Sequence, residues 1–228
     1  IRELETASAA DPASVTADVV LINQYLSKRQ TPKARSVAEA LVRRHPENPL
    51  AHNMLGLVQL AEESQPAARA AFARALSLQP TFVSAARNLA QLDLREGQPE
   101  AARGRYVAVL AKDPKLEDAS VALAELLVRT GAPDAEVLKV YDAAVAANPA
   151  AVRSRLEKVA FLTRRGRTKD ALEAASQAAA TPGTTPAIHD WRLSTATPSA
   201  TPATALAGTV PRRAHTTATA PGNRARWA

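Results

Sequence analysis

The sequence predicts an all-α chain of stacked antiparallel helix pairs, and three observations predict it. Prolines recur at Pro46, Pro80, Pro114 and Pro149, at intervals of 34, 34 and 35 residues. Gly97, Gly131 and Gly166 recur at 34 and 35. Hydrophobic residues make up 46% of the chain but aromatics only 4%, so Ala, Leu and Val supply the apolar bulk. That composition favours helix over sheet. Periods of this length are the mark of repeat architectures.

The period fixes the units. They run 15–48, 49–82, 83–116, 117–151 and 152–181, after a lead-in over 1–14. Ala34, Ala68, Ala102 and Ala171 share one phase, and Phe72 and Tyr106 share another. Tyr141 and Pro149 both fall one residue late, which places a single insertion between Gly131 and Tyr141. Residues 49–82 show how a unit is built. Met54, Leu55, Val58 and Leu60 have helical spacing in a first helix over 51–62. Ser64-Gln65-Pro66 reads as a turn, with Ser64 as N-cap and Pro66 near the first helical turn. Ala68, Phe72, Ala75 and Leu76 line one face of a second helix over 67–78, and Pro80 helps to stop it. Gly56 and Ala68 mark the close approach of the two helices, with Phe72 filling the space beyond. One pair cannot bury its whole apolar stripe, so stacking on the next pair completes the core.

The composition excludes several functions. The 228 residues hold no cysteine, so disulfides, thiolate metal sites and cysteine nucleophiles are out. No run of 18 apolar residues exists, so no membrane span is expected. The net charge is +7, but five Arg and one Asp after residue 180 leave only +3 to the first 180 residues. Those 180 carry three Tyr, three Phe and no Trp, which does not make a basic face with stacking aromatics, so nucleic acid is not an expected partner. Residues 182–228 are rich in Thr, Ala, Pro and Arg and lack apolar periodicity; a disordered or frame-altered tail is expected there. A first residue of Ile rather than Met is expected of a fragment or a processed chain.

The pattern resembles the tetratricopeptide repeat family. Leu55-Gly56, Ala68, Phe72, Ala75 and Pro80 match its signature in full. The third unit keeps Leu89, Ala102, Tyr106 and Pro114, with Ala90 for the Gly; the fourth keeps Leu123, Gly131, Tyr141, Ala144 and Pro149. The fifth keeps Gly166, Ala171 and Ala178 but has Ala175 for the aromatic, and the first keeps Tyr25, Ala34 and Pro46. The resemblance implies a right-handed superhelix, an α-solenoid, whose first helices line a concave groove. It implies a noncatalytic scaffold for protein–protein interaction, with a protein or peptide segment in that groove and no cofactor or metal. Asn53-Met54-Leu55-Gly56, Asn88-Leu89-Ala90 and Arg105-Tyr106 also resemble the long repeat lipoproteins of bacterial exosortase and PEP-CTERM systems. That likeness implies exopolysaccharide or surface-protein export and a place in the bacterial periplasm or on the outer membrane. Acidic polysaccharide as ligand, or a regulatory domain of a larger glycosyltransferase-type enzyme, are the alternatives.

Carried over position by position, the groove residues are Asn23, Asn53, Leu57, Leu60, Arg87, Gln91, Arg95, Glu125, Arg129 and Arg164. Val121, Val128, Arg153 and Leu156 share their phase. Arg95, Arg129 and Arg164 recur in three successive units, and a ladder of guanidiniums suits carboxylates or an anionic glycan. The same residues lie in the last turn of a helix, where a cation complements the dipole by about 0.3–1 kcal/mol. Val19 and Met54 stand where a carboxylate clamp for chaperone tails needs polar side chains, so that clamp is not expected. His45 and His52 lack a second ligand at metal spacing and read as surface residues. No nucleophile elbow, phosphate loop or dinucleotide fingerprint occurs.

Overall fold

The computed structural model describes Thr6 and residues 14–180. The lead-in, apart from Thr6 and Ser14, and the tail expected over 182–228 lie outside the described residues. Among the described residues, ten helices follow from residue 15 onward. They are α1 (Val15–Ser27), α2 (Thr31–Arg44), α3 (Pro49–Ala61), α4 (Gln65–Leu78), α5 (Val83–Arg95), α6 (Pro99–Lys112), α7 (Glu117–Arg129), α8 (Asp134–Ala147), α9 (Val152–Arg164) and α10 (Thr168–Ala179). No strand occurs among the described residues. No helix among them is long and apolar enough to cross a membrane.

Each odd helix ends in the same left-handed turn. The residue in that turn is Arg29, Glu63, Gly97, Gly131 and Gly166 in successive units, with φ between 55° and 74°. The following N–H then reaches back to a carbonyl five residues earlier: Gln30 to Tyr25, Ser64 to Gln59, Gln98 to Asp93, Ala132 to Leu127 and Arg167 to Leu162, at 2.8–3.0 Å. This is the two-bond Schellman closure, which satisfies carbonyls the helix end would leave bare. Proline in the first turn then starts α2, α3, α4 and α6 with φ already set. The expected cap at Ser64 is positional only: its side chain makes no capping bond, and the helix it precedes begins at Gln65. The inserted residue of the fourth unit falls in the turn between α7 and α8, which spans 130–133, where the other four such turns have three residues.

Sequential helices pack antiparallel, and the core runs along the stack as five buried clusters linked through the partly buried Leu57, Leu76, Leu110 and Leu138. Gly56 explains the closest approach. A Cβ there would lie 2.5 Å from the Phe72 ring, so the aromatic itself, rather than Ala68, rests on the glycine. Ala68 is fully buried beside it. The odd helices also touch one another, α1 with α3, α5 with α7 and α7 with α9, whereas no pair of even helices packs as closely. The odd helices therefore line the short, inner arc of the solenoid and the even helices its outer arc.

Candidate partner-binding groove

The inner face is built from the outward-pointing residues of α1, α3, α5, α7 and α9. Arg95, Arg129 and Arg164 are the last residues of α5, α7 and α9. All three are exposed, and none pairs with an acid among the described residues. Arg87 and Gln91 continue the row on α5, and Glu125 stands exposed on α7. Asn23 is exposed on α1.

Two hydroxyls lie at the floor of this face. Tyr106 on α6 is 5% exposed and Tyr141 on α8 is 2% exposed. Burial pushes the Tyr106 hydroxyl up, the Arg87 guanidinium opposes it, and Glu125 and Arg129 lie within electrostatic reach. Burial pushes Tyr141 up to about 12, with the Glu157 carboxylate adding to it and Arg164 opposing. Both hydroxyls therefore stay protonated at neutral pH and remain donors. The structure thus brings together Arg87, Glu125 and Arg129 around one tyrosine, and Glu125, Glu157 and Arg164 around the other. Tyr106, Tyr141 and Glu157 were not among the residues expected in the groove. The available signal was Tyr in place of Phe72 at that phase: a buried Tyr keeps one polar end that needs a partner.

Several expected groove residues sit elsewhere. Asn53 is 4% exposed. Its side-chain oxygen accepts a 2.9 Å hydrogen bond from Asn88, so it ties α3 to α5 beneath the surface. Val121 is 1% exposed and belongs to the core, because the periodicity of α7 turns that position inward. Leu57 and Leu60 are half-buried and pack on the core around Phe72, leaving only part of each side chain to the groove. Arg153 is held by Asp118 at 2.6 Å. His52 is half-buried, and its ring nitrogen meets the Pro46 carbonyl at 2.6 Å, which fixes the loop before α3. No cluster of metal-ligating side chains occurs among the described residues.

A second periodicity joins the units. Arg35, Arg69 and Arg103 are 34 residues apart. Arg35 reaches Glu62 at 3.3 Å and Arg69 reaches Glu96 at 2.9 Å. The corresponding residue of the next unit is Thr130, whose hydroxyl turns back to the Leu126 carbonyl at 3.0 Å. Arg103 goes instead to Glu136 on α8, at 3.0 Å. At the second junction Asp93, 1% exposed, takes Arg69 at 2.6 Å and Arg105 at 2.9 Å.

A family model described as tetratricopeptide repeat matches residues 19–81 and 87–152, more than half of the chain. The chain belongs to the tetratricopeptide repeat family. Among solved structures, this repeat chain is similar to pilF of Pseudomonas aeruginosa, with 18% identity, a TM-score of 0.50, and coverage of 73% of this chain and 76% of that one. It also matches MamA, at 20% identity and TM-score 0.46 over 65% of this chain and 86% of that one. YrrB, described as a repeat protein with an unusual peptide-binding site, matches at 16% identity and TM-score 0.44, over 83% and 97%. No curated protein matches the chain. At these identities the likeness is one of fold.

Proposed function

We propose that this tetratricopeptide repeat chain is a noncatalytic scaffold that docks a segment of another protein in its inner groove. The observation that supports this most is the row Arg95, Arg129 and Arg164, exposed and without an acid partner among the described residues, with Arg129 near the Tyr106 hydroxyl and Arg164 near that of Tyr141. Guanidiniums offer paired donors to carboxylates. Leu57, Leu60 and Val128 add apolar contact. Asn23, Gln91 and Glu125 set register. Asn53 contributes from below, through Asn88.

The setting we propose is bacterial envelope export of the exosortase type, in the periplasm or attached to the outer membrane. It rests on the likeness of residues 53–56, 88–90 and 105–106 alone. An acidic polysaccharide is the second reading, and the unpaired Arg row is what favours it. A pull-down with the intact chain from bacterial envelope extract, beside the Arg95/Arg129/Arg164→Gln variant, tests all of this. One enriched protein lost with the variant supports docking. Enrichment of polysaccharide alone, released by salt, replaces it with the glycan reading. Equal capture by both chains, with the variant less stable by up to about 1 kcal/mol per Arg, leaves the row a set of helix-end charges.

A further inference from the structure

The outer face carries a slot that the inner-groove reading does not use. It lies between α6 and α8, with α7 as its floor. Its volume is about 600 Å³, and Val107, Leu110, Leu123, Leu127, Val140 and Ala143 line it. Val107 is 47% exposed although nothing polar covers it. The neighbouring slots differ. That between α4 and α6 is smaller, about 380 Å³. That between α8 and α10 is about 190 Å³ and is lined by Asp142, Lys158, Arg167 and Asp170, which pair among themselves. The large slot flanks α8, whose entry turn is the longer one. It is closed at one end by the Arg103–Glu136 pair, because Thr130 leaves Arg103 without its periodic acid.

Of the three charged side chains that line it, Arg103 and Glu136 pair with each other and Lys139 is left exposed. At the open end Lys115 follows Pro114, and Asp113 before it accepts the Lys115 backbone N–H at 2.9 Å. Neither Lys139 nor Lys115 forms an ion pair with an acid among the described residues. From Arg103 to Pro114 the slot runs about 17 Å, or three helical turns.

We propose that this slot is a second docking site, on the outer face, which takes one amphipathic helix of a partner protein bearing acidic residues beside its apolar stripe. An extended peptide is the wrong shape. Both walls are helices whose backbone groups are already bonded internally, so an extended strand would lie in an apolar slot with its own N–H and C=O groups bare. A helix satisfies its own backbone, and two helices at a slot's width leave room for a third set between them. Carboxylates along one edge of that helix meet Lys139 and, at the open end, Lys115.

A displayed library of helical peptides of about 14 residues, long enough to span the slot, is selected on the intact chain. Selected peptides are titrated against the chain and three variants: Val107→Glu, Lys139→Glu and Arg95/Arg129/Arg164→Gln. The changed residues are exposed, and each variant's circular dichroism and urea midpoint are matched to the parent. The proposal expects apolar residues at i, i+3, i+4 and i+7 with Asp or Glu alongside. It expects affinity to fall at least about tenfold in Val107→Glu, which puts a charge into the apolar slot. It expects a several-fold loss in Lys139→Glu and none in the Arg variant. Failure to enrich any peptide overturns it, as does binding lost only in the Arg variant, which assigns the peptides to the inner groove. Two parallel readouts also overturn it. Saturable binding of dansyl-undecanoic acid, lost in Val107→Glu while no peptide binds, makes the slot a lipid site. A sedimentation dimer that Val107→Glu converts to monomer gives the slot to a second copy of this chain.

Discussion

The first two units and the last three make the same turn with different residues. Arg29 and Glu63 hold φ at 55° and 61° in the first two, and Gly97, Gly131 and Gly166 hold 71–74° in the last three. The two closing hydrogen bonds are present in all five. Side chains with a Cβ therefore accept a strained conformation in the first half, and glycine relieves it in the second. The groove changes at the same boundary. Helices α1 and α3 end in Ser27 and Ala61, whereas α5, α7 and α9 end in Arg. One backbone plan thus carries uncharged ends on its first two odd helices and cationic ends on the last three. Turn geometry is a property of the repeat, and groove chemistry is a property of the individual unit.

The largest effect expected is at Gly56. In the second unit Phe72 rests on a glycine, while in the third Tyr106 faces Ala90. Gly56→Leu forces the fully buried Phe72 ring to move and should cost about 3 kcal/mol in urea unfolding. A cost below that of Ala90→Leu would break the distinction between the two units.

Asp93 comes next. Burial alone would push its carboxyl up, but hydrogen bonds from Arg105 and Arg69 outweigh it and hold the group below the usual carboxylate range. A depressed value gives stability that is complete above the unfolded value near 3.9 and fades as pH falls through the folded one. Asp93→Asn should cost about 3 kcal/mol at neutral pH, because it leaves two guanidiniums without their shared anion. The cost should shrink as pH falls through the folded-state value, where the parent loses the same charge. An undiminished cost in acid would mean that shape, not charge, holds that junction.

The turns give a smaller, paired test. Nothing lies within 4 Å of a Cβ added at Gly131, so Gly131→Ala measures backbone strain alone and should cost about 1 kcal/mol. Glu63→Gly should gain up to about 1 kcal/mol by the converse argument. Equal and opposite shifts in thermal midpoint would show that the two halves differ only in which residue occupies the turn. The smallest effect is expected from Arg74→Gln. Both Arg74 and its partner Glu47 are well exposed. Loss of the pair should cost no more than about 0.5 kcal/mol and vanish in high salt.

The period, the helix order and the place of the insertion were legible because proline, glycine and the small residues are demanded by backbone geometry, which leaves a residue-type signature. The cationic row was legible for the same reason of phase. Asn53 was misplaced because the period gives the face of a helix but not how deeply its neighbour α5 covers it. The tyrosine hydroxyls escaped notice because an aromatic position reads as core whether or not it carries oxygen. The Arg35, Arg69 and Arg103 series was in the sequence as a spacing. It becomes visible once its acceptors 27 residues on, Glu62 and Glu96, are looked for as well. The outer slot had no sequence signal, since it is the space between two helices joined by one ion pair at its end.

Each of α2, α4, α6, α8 and α10 is entered from a turn closed by the same pair of backbone bonds, and α2, α4, α6 and α8 are each followed by four linking residues before the next odd helix. A block of one period cut from the gene at any phase begins and ends at equivalent points of that path. Duplicating or deleting it by unequal recombination leaves both new joints with their bonds intact. The solenoid can therefore change length by whole units with its backbone path kept, while the charge carried by each unit remains free to drift.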